Sequence, residues 1–96
     1  MANEATNAAV ISLSGRIDSN NAPQIEADIL NELKEKGAEA VVLDAQKLEY
    51  ISSAGLRLIM KIIKSGTEVK LINVSEEIYE IFQMTGFTKL TEVDRK

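Results

Sequence analysis

The chain has 96 residues, a formal charge of −4, 45% apolar and 27% charged residues, and neither Cys nor His. That length fits one domain around one core, and the composition is that of a folded chain rather than a disordered one. The mild acidic balance argues against a direct nucleic-acid partner; without Cys there is no disulfide or thiolate chemistry, and without His the commonest general base and metal ligand are missing.

Aromatic residues make up 4% of the chain and Trp is absent, so the core is expected to be aliphatic. Met1 to Asn7 has neither the basic start nor the apolar run of a signal peptide. No stretch approaches the roughly 20 apolar residues of a membrane span. Cytoplasmic residence without membrane attachment is the default expectation. The first nine residues read as a frayed end or a poor edge strand, and residues 1–96 as one domain.

Val10 to Ile17 reads as a strand, with Ile11, Leu13 and Ile17 marking its face past a turn-prone Ser14-Gly15. Asp18-Ser19-Asn20-Asn21 is a cluster of turn and cap formers. Pro23 suits a first helical turn, and Asn21 with Gln24 can form a loose capping box. Ile25, Ile29, Leu30 and Leu33 then mark a helical face, and Gly37 is a good stop. Ala40-Val41-Val42-Leu43 is a β-prone run suited to a parallel strand buried on both faces. Asp44 to Ile51 reads as a connector anchored by Leu48, Tyr50 and Ile51.

Ser52-Ser53 precede a strong helix, Ala54 to Lys64. Its apolar residues run almost all the way round, leaving Arg57, Lys61 and Lys64 on one stripe as a narrow wet edge. Val69, Leu71 and Ile72 belong to the next strand. Ser75 is placed to cap a third helix, with Glu76 and Glu77 favoured by its dipole. Ile78, Ile81 and Phe82, with Met84 at the end, form the inner face, and Gly86 ends the helix. Leu90 and Val93 make a weak last strand. The alternation implies an α/β fold: a mostly parallel or mixed sheet of four or five strands with alternating helices.

Enzymatic chemistry finds little support. A Ser-His-Asp triad and a zinc site of the usual kind both need residues the chain lacks. The five glycines are isolated, so there is no phosphate loop. A Lys-activated serine would need a lysine that the sequence does not place near the serine pair. Nothing calls for a cofactor or a metal.

The informative segment is Leu43-Asp44-Ala45-Gln46-Lys47-Leu48-Glu49-Tyr50-Ile51-Ser52-Ser53-Ala54-Gly55-Leu56. It leads from a buried strand to two hydroxyls at a helix start, on the side of a parallel sheet where α/β proteins place their sites. Taken alone, Ser52 or Ser53 would simply cap the helix, with Gly55 allowing it to approach a neighbour. Together with Leu13-Ser14-Gly15-Arg16-Ile17-Asp18 and Met84-Thr85-Gly86-Phe87, the segment resembles the STAS domain of sulphate transporters and anti-sigma factor antagonists. The resemblance runs from about Val10 to about Val93.

In that family the loop usually reads Asp-Ser-Ser/Thr-Gly-Leu, and the first serine is phosphorylated. Anchored on Gly55-Leu56, the resemblance places that serine at Ser53. The usual Asp falls on Ser52, which offers a second hydroxyl, and the second hydroxyl position falls on Ala54. Asp18 matches an acidic residue near the phosphorylated serine. The link after the second helix is short by about one turn.

The resemblance implies an anti-sigma factor antagonist that binds an anti-sigma factor with serine kinase activity and lets go when phosphorylated. A metal-dependent serine phosphatase would reset it. Modification is expected at Ser53, with Ser52 as the alternative. Partner contacts are expected at Asp18, Ser19, Asn20, Ala54, Gly55, Leu56, Arg57 and Lys61, with the protein a monomer or weak dimer. Competing expectations are an unphosphorylated subunit of a larger signalling or transport assembly, and a nucleotide- or lipid-sensing module.

Overall fold

The computed structural model describes residues 8–96. In chain order it contains β1 (Ala8–Ile17), α1 (Ala22–Lys36), β2 (Ala40–Ile51), α2 (Ser53–Lys64), β3 (Glu68–Val74), α3 (Glu76–Met84), a 3₁₀ turn (Phe87–Lys89) and β4 (Glu92–Arg95). Of the nine residues expected to fray or form a poor edge, Ala8 and Ala9 belong to β1; the other seven lie outside the described residues.

The four described strands form one sheet in the order β1-β2-β3-β4, and every neighbouring pair is parallel. Each crossover runs through a helix. With the usual right-handed crossover, consecutive order puts all three helices on one face. Side-chain burial follows that arrangement. Ala9, Val41 and Val69 are in register and buried, as are Leu43 and Leu71 in a neighbouring row. Val10, Val42, Lys70 and Glu92 form the alternate row on the open face, where Val10 is exposed. The expectation of a strand buried on both faces is therefore corrected: Val42 is half-buried.

The core is aliphatic, with Phe82 and Phe87 as its aromatic members, packed edge to face at 5.4 Å. No polar or charged residue among the described ones is buried. Ile29 and Leu33 come from α1, Leu58, Ile59 and Ile62 from α2, and Ile78 from α3. Gly37 stops α1 in the left-handed region at φ 57°, where a Cβ would be strained. Ser75 caps α3, its Oγ accepting from the Ile78 amide at 3.4 Å.

Several local expectations are corrected. Asp44–Ile51 is not a connector, because β2 continues to Ile51 and pairs with β1 to the end. The pairing shifts register between Ser12 and Ser14 and again between Gly15 and Arg16. At both shifts the extra residue lies in β2: Asp44 to Lys47 faces the shorter Ser12 to Ser14, and Leu48 to Tyr50 faces Gly15 to Arg16. The buried residues Ala45, Leu48 and Ile51 consequently fall three apart, which hides the strand from a period-two reading. Tyr50 is no core anchor. It is 40% exposed and lies under the Arg16 guanidinium, 4.5 Å from the ring centroid.

The Asn21–Gln24 capping box does not form. Asn21 Oδ1 instead accepts from the Asp18 amide at 2.9 Å, its Nδ2 donates to the Arg16 carbonyl at 2.7 Å, and Gln24 donates to Asp28. Leu30, Met84 and Leu90 are exposed, each beyond the stripe its element buries. The last strand starts after Leu90, at Glu92, and only Val93 of it is half-buried.

Candidate functional site around Ser53

The carboxyl ends of β1 and β2 meet at the start of α2. The Ser52 amide donates to the Ile17 carbonyl at 2.9 Å. This bond extends the β1–β2 pairing by one residue and brings the Asp18 turn beside the helix. Ser52 has extended backbone geometry and is the N-cap; its Oγ accepts from the Gly55 amide at 3.5 Å. The two serines therefore divide their roles. Ser52 is half-buried and committed to the cap, whereas Ser53 is the first residue of α2 and exposed. Among the described residues the Ser53 hydroxyl has no hydrogen-bond partner within the chain.

Gly55 sets how close α2 can come. A Cβ there would stand 2.6 Å from Ile51 Cγ1 and 2.8 Å from Ile17 Cγ2. Gly55 is buried, so it shapes the site from behind and cannot be a surface contact; its place among the expected partner contacts is corrected. Leu56 is half-buried and packs on the core.

Asp18, Ser19 and Asn20 form a tight turn. Asp18 Oδ1 accepts from the Asn20 amide at 3.0 Å and the Asn21 amide at 3.4 Å, an Asx-type arrangement that fixes the turn without regular structure. The Asp18 carbonyl accepts from the Ala22 amide at 2.9 Å and leads into α1. Ser19 and Asn20 are exposed.

Between α1 and α2 runs an open groove of about 300 Å³, lined by Ser19, Ala22, Pro23, Glu26, Ala54, Arg57, Leu58 and Lys61. The structure thus brings Ser19, Ala54, Arg57 and Lys61 together along one groove and sets Leu56 and Gly55 outside it. Glu26 and Lys61 bridge the two helices at 3.1 Å, with side chains 23% and 67% exposed. Ala22, Pro23, Glu26 and Leu58 were not among the expected contacts. Pro23 and Glu26 belong to α1, and only the tertiary arrangement places them opposite α2. The described residues contain no cluster of three acidic side chains able to hold a metal, and no helix among them is long and apolar enough to cross a membrane.

The STAS domain family model matches residues 1–96. A Bordetella bronchiseptica protein assigned as the anti-sigma factor antagonist BtrV is 36% identical over 85 residues, covering 84% of this chain and 72% of its own length. Among solved structures, an assigned anti-sigma factor antagonist from Thermotoga maritima superposes with a TM-score of 0.83 at 19% identity, covering 95% of this chain and 81% of that one. The anti-sigma factor antagonist SpoIIAA superposes in its unphosphorylated form with a TM-score of 0.74 at 18% identity, covering 95% and 84% of the two chains. Its phosphorylated form, from Bacillus, gives 0.69 at 21% identity, covering 97% and 86%. The sequence-based resemblance is upheld, and the chain belongs to the STAS domain family, with relatives named for regulation rather than for catalysis.

Proposed function

We propose that this chain is an anti-sigma factor antagonist switched by phosphorylation of Ser53. The observation that carries this reading is an exposed, unengaged hydroxyl at the start of α2, beside the Asp18 turn and the α1–α2 groove. The family relationship supports it, as does a structural relative solved with and without phosphate. Unphosphorylated, the protein binds an anti-sigma factor that is also a serine kinase, and the sigma factor is released. The kinase's ATP supplies the phosphoryl group. The Ser53 Oγ–P bond forms as the bond to the β-phosphate oxygen breaks; ADP leaves and the hydroxyl proton is lost. A metal-dependent serine phosphatase hydrolyses the phosphoserine and restores binding.

The docking surface comprises Asp18, Ser19, Asn20, Ala54, Arg57 and Lys61, with Leu56 at its margin. Phosphate adds about −1.5 to −2 charges at neutral pH. At the start of a helix it meets free amides and the positive end of the dipole, so the domain accepts it without refolding. The partner must instead desolvate that charge beside Asp18, and the complex comes apart. The chain itself contributes no cofactor and no catalytic group.

Incubation with the cognate kinase and ATP, followed by mass analysis of the Ser52–Ser53 peptide, tests the assignment. One phosphate is expected on the unaltered chain and on Ser52→Ala, and none on Ser53→Ala. Continued labelling of Ser53→Ala would move the switch to Ser52, and an unmodified wild-type peptide would favour an assembly role without phosphorylation.

A further inference from the structure

We propose that Arg57 is the internal counter-ion of phosphorylated Ser53: it folds back one turn onto the phosphate and so withdraws from the groove it lines. The inference rests on the phosphorylation reading above and adds how the modified state is held.

Ser53 and Arg57 are four residues apart on α2, so their side chains share one face. An anion preceding a cation at this spacing is the more favourable order on a helix. Arg57 is also uncommitted. Arg16 sits over Tyr50, Arg95 pairs with Glu76 at 3.2 Å and covers the Tyr79 ring, and Lys61 holds Glu26. Among the described residues Arg57 alone of the arginines has no hydrogen bond, ion pair or ring contact.

No carboxylate competes from the helix itself. The first turn of α2 has no acidic residue, whereas that of α3 has Glu76 and Glu77. The nearby Asp18 carboxylate has its Oδ1 engaged by two backbone amides and forms no ion pair with Arg57. A phosphate on Ser53 would supply the negative charge this helix start lacks. A guanidinium can meet phosphate oxygens with two parallel N–H donors, which an ammonium cannot. The close fit of Gly55 against Ile17 and Ile51 fixes the helix, so the change is confined to a side chain. Arg57 then has two alternative positions: free beside the groove, or bound to the phosphate. Phosphorylation removes a cation from the docking surface at the moment it adds an anion.

The full chain with phosphoserine incorporated at position 53 during synthesis tests this by phosphorus NMR titration through the second phosphate ionisation. Arg57 favours the dianion. The wild-type midpoint is therefore expected about 0.2–0.4 pH unit below that of Arg57→Ala, with Arg57→Lys between them. Lys64→Ala, on the same exposed stripe but far from Ser53, is expected to titrate as wild type. Equal midpoints for wild type and Arg57→Ala would overturn the clamp, and so would an equal displacement by Lys64→Ala. Because the phosphate is installed synthetically, failure of the clamp shows in these titrations. Failure of the phosphorylation reading shows separately, as an unlabelled Ser53 in the kinase assay.

Discussion

Asp44 illustrates how much one side chain can do at the edge of a ladder. It is the last β2 residue registered with β3, opposite Ile72. Its Oδ1 accepts from Asn73 Nδ2 and from the Gln46 amide, each at 3.0 Å. Asn73 takes φ 56°, a left-handed conformation that Asn tolerates better than most residues, and the β2–β3 pairing ends just before it. The Asn73 bond first, and the Gln46 amide second, hold the Asp44 carboxyl below its ordinary value of 3.8. A depressed carboxylate contributes stability that is complete above the unfolded value and lost as pH falls through the folded one. Urea midpoints should therefore decline on acidification below about pH 4, and Asp44→Asn should remove this part of the slope. A variant with an unchanged acid profile would refute that role. Ser53 stood out as the candidate in the sequence because Gly55-Leu56 anchors the STAS resemblance there. It did not reveal the Asp44–Asn73 contact, which joins positions 29 residues apart.

At the scale of elements, the informative relation is that of α2 to the ends of β1 and β2. The helix was legible from its own pattern: Leu58, Ile59 and Ile62 are buried, and Arg57, Lys61 and Lys64 form the exposed edge. The length of β2 was not, because a strand that itself carries two extra residues loses its alternating signature. Gly55 sits where the three elements converge. Its missing side chain lets α2 approach Ile17 and Ile51, so Gly55→Ala must displace both. Forcing an extra carbon into such a contact costs typically about 1–3 kcal/mol. Chemical denaturation of Gly55→Ala should show a loss in this range, and a neutral result would mean that α2 can shift freely. The same shift would move Ser53 relative to the Asp18 turn, so partner affinity should fall with stability.

For the whole molecule, position in the sheet ranks local stability. β2 and β3 each have neighbours on both sides, and Leu43 and Leu71 are fully buried between them. β4 has four residues, three of them exposed, at one edge. It is held by Lys70 to Glu92 and Asp94 at 3.4 and 3.6 Å, and by the Thr91 hydroxyl donating to the Val69 carbonyl. Exposed ion pairs of this kind add little, so β4 should open well before the centre. Amide hydrogen exchange should be slowest at Val41–Leu43 and Val69–Leu71 and fastest in β4; uniform protection across the sheet would contradict this order. The layered α/β plan was apparent from alternating patterns along the chain. The mostly parallel sense of the sheet followed from the same alternation, but the strand order and register were not legible, because they depend on pairing between distant segments.

All four described strands point the same way, which gives the described part of the molecule a head and a tail. Ile17, Ile51 and Val74 end at the head with the serine loop, whereas Ala8, Ala40 and Glu68 begin together at the tail. At about 3.3 Å per residue, Val10 lies roughly 23 Å from Ile17 along β1. Its side chain is exposed on the open side of the sheet, and the chain has no native thiol. A cysteine placed there would take a single fluorescent label. Such a dye would sit clear of the head and could report complex formation without standing in its way.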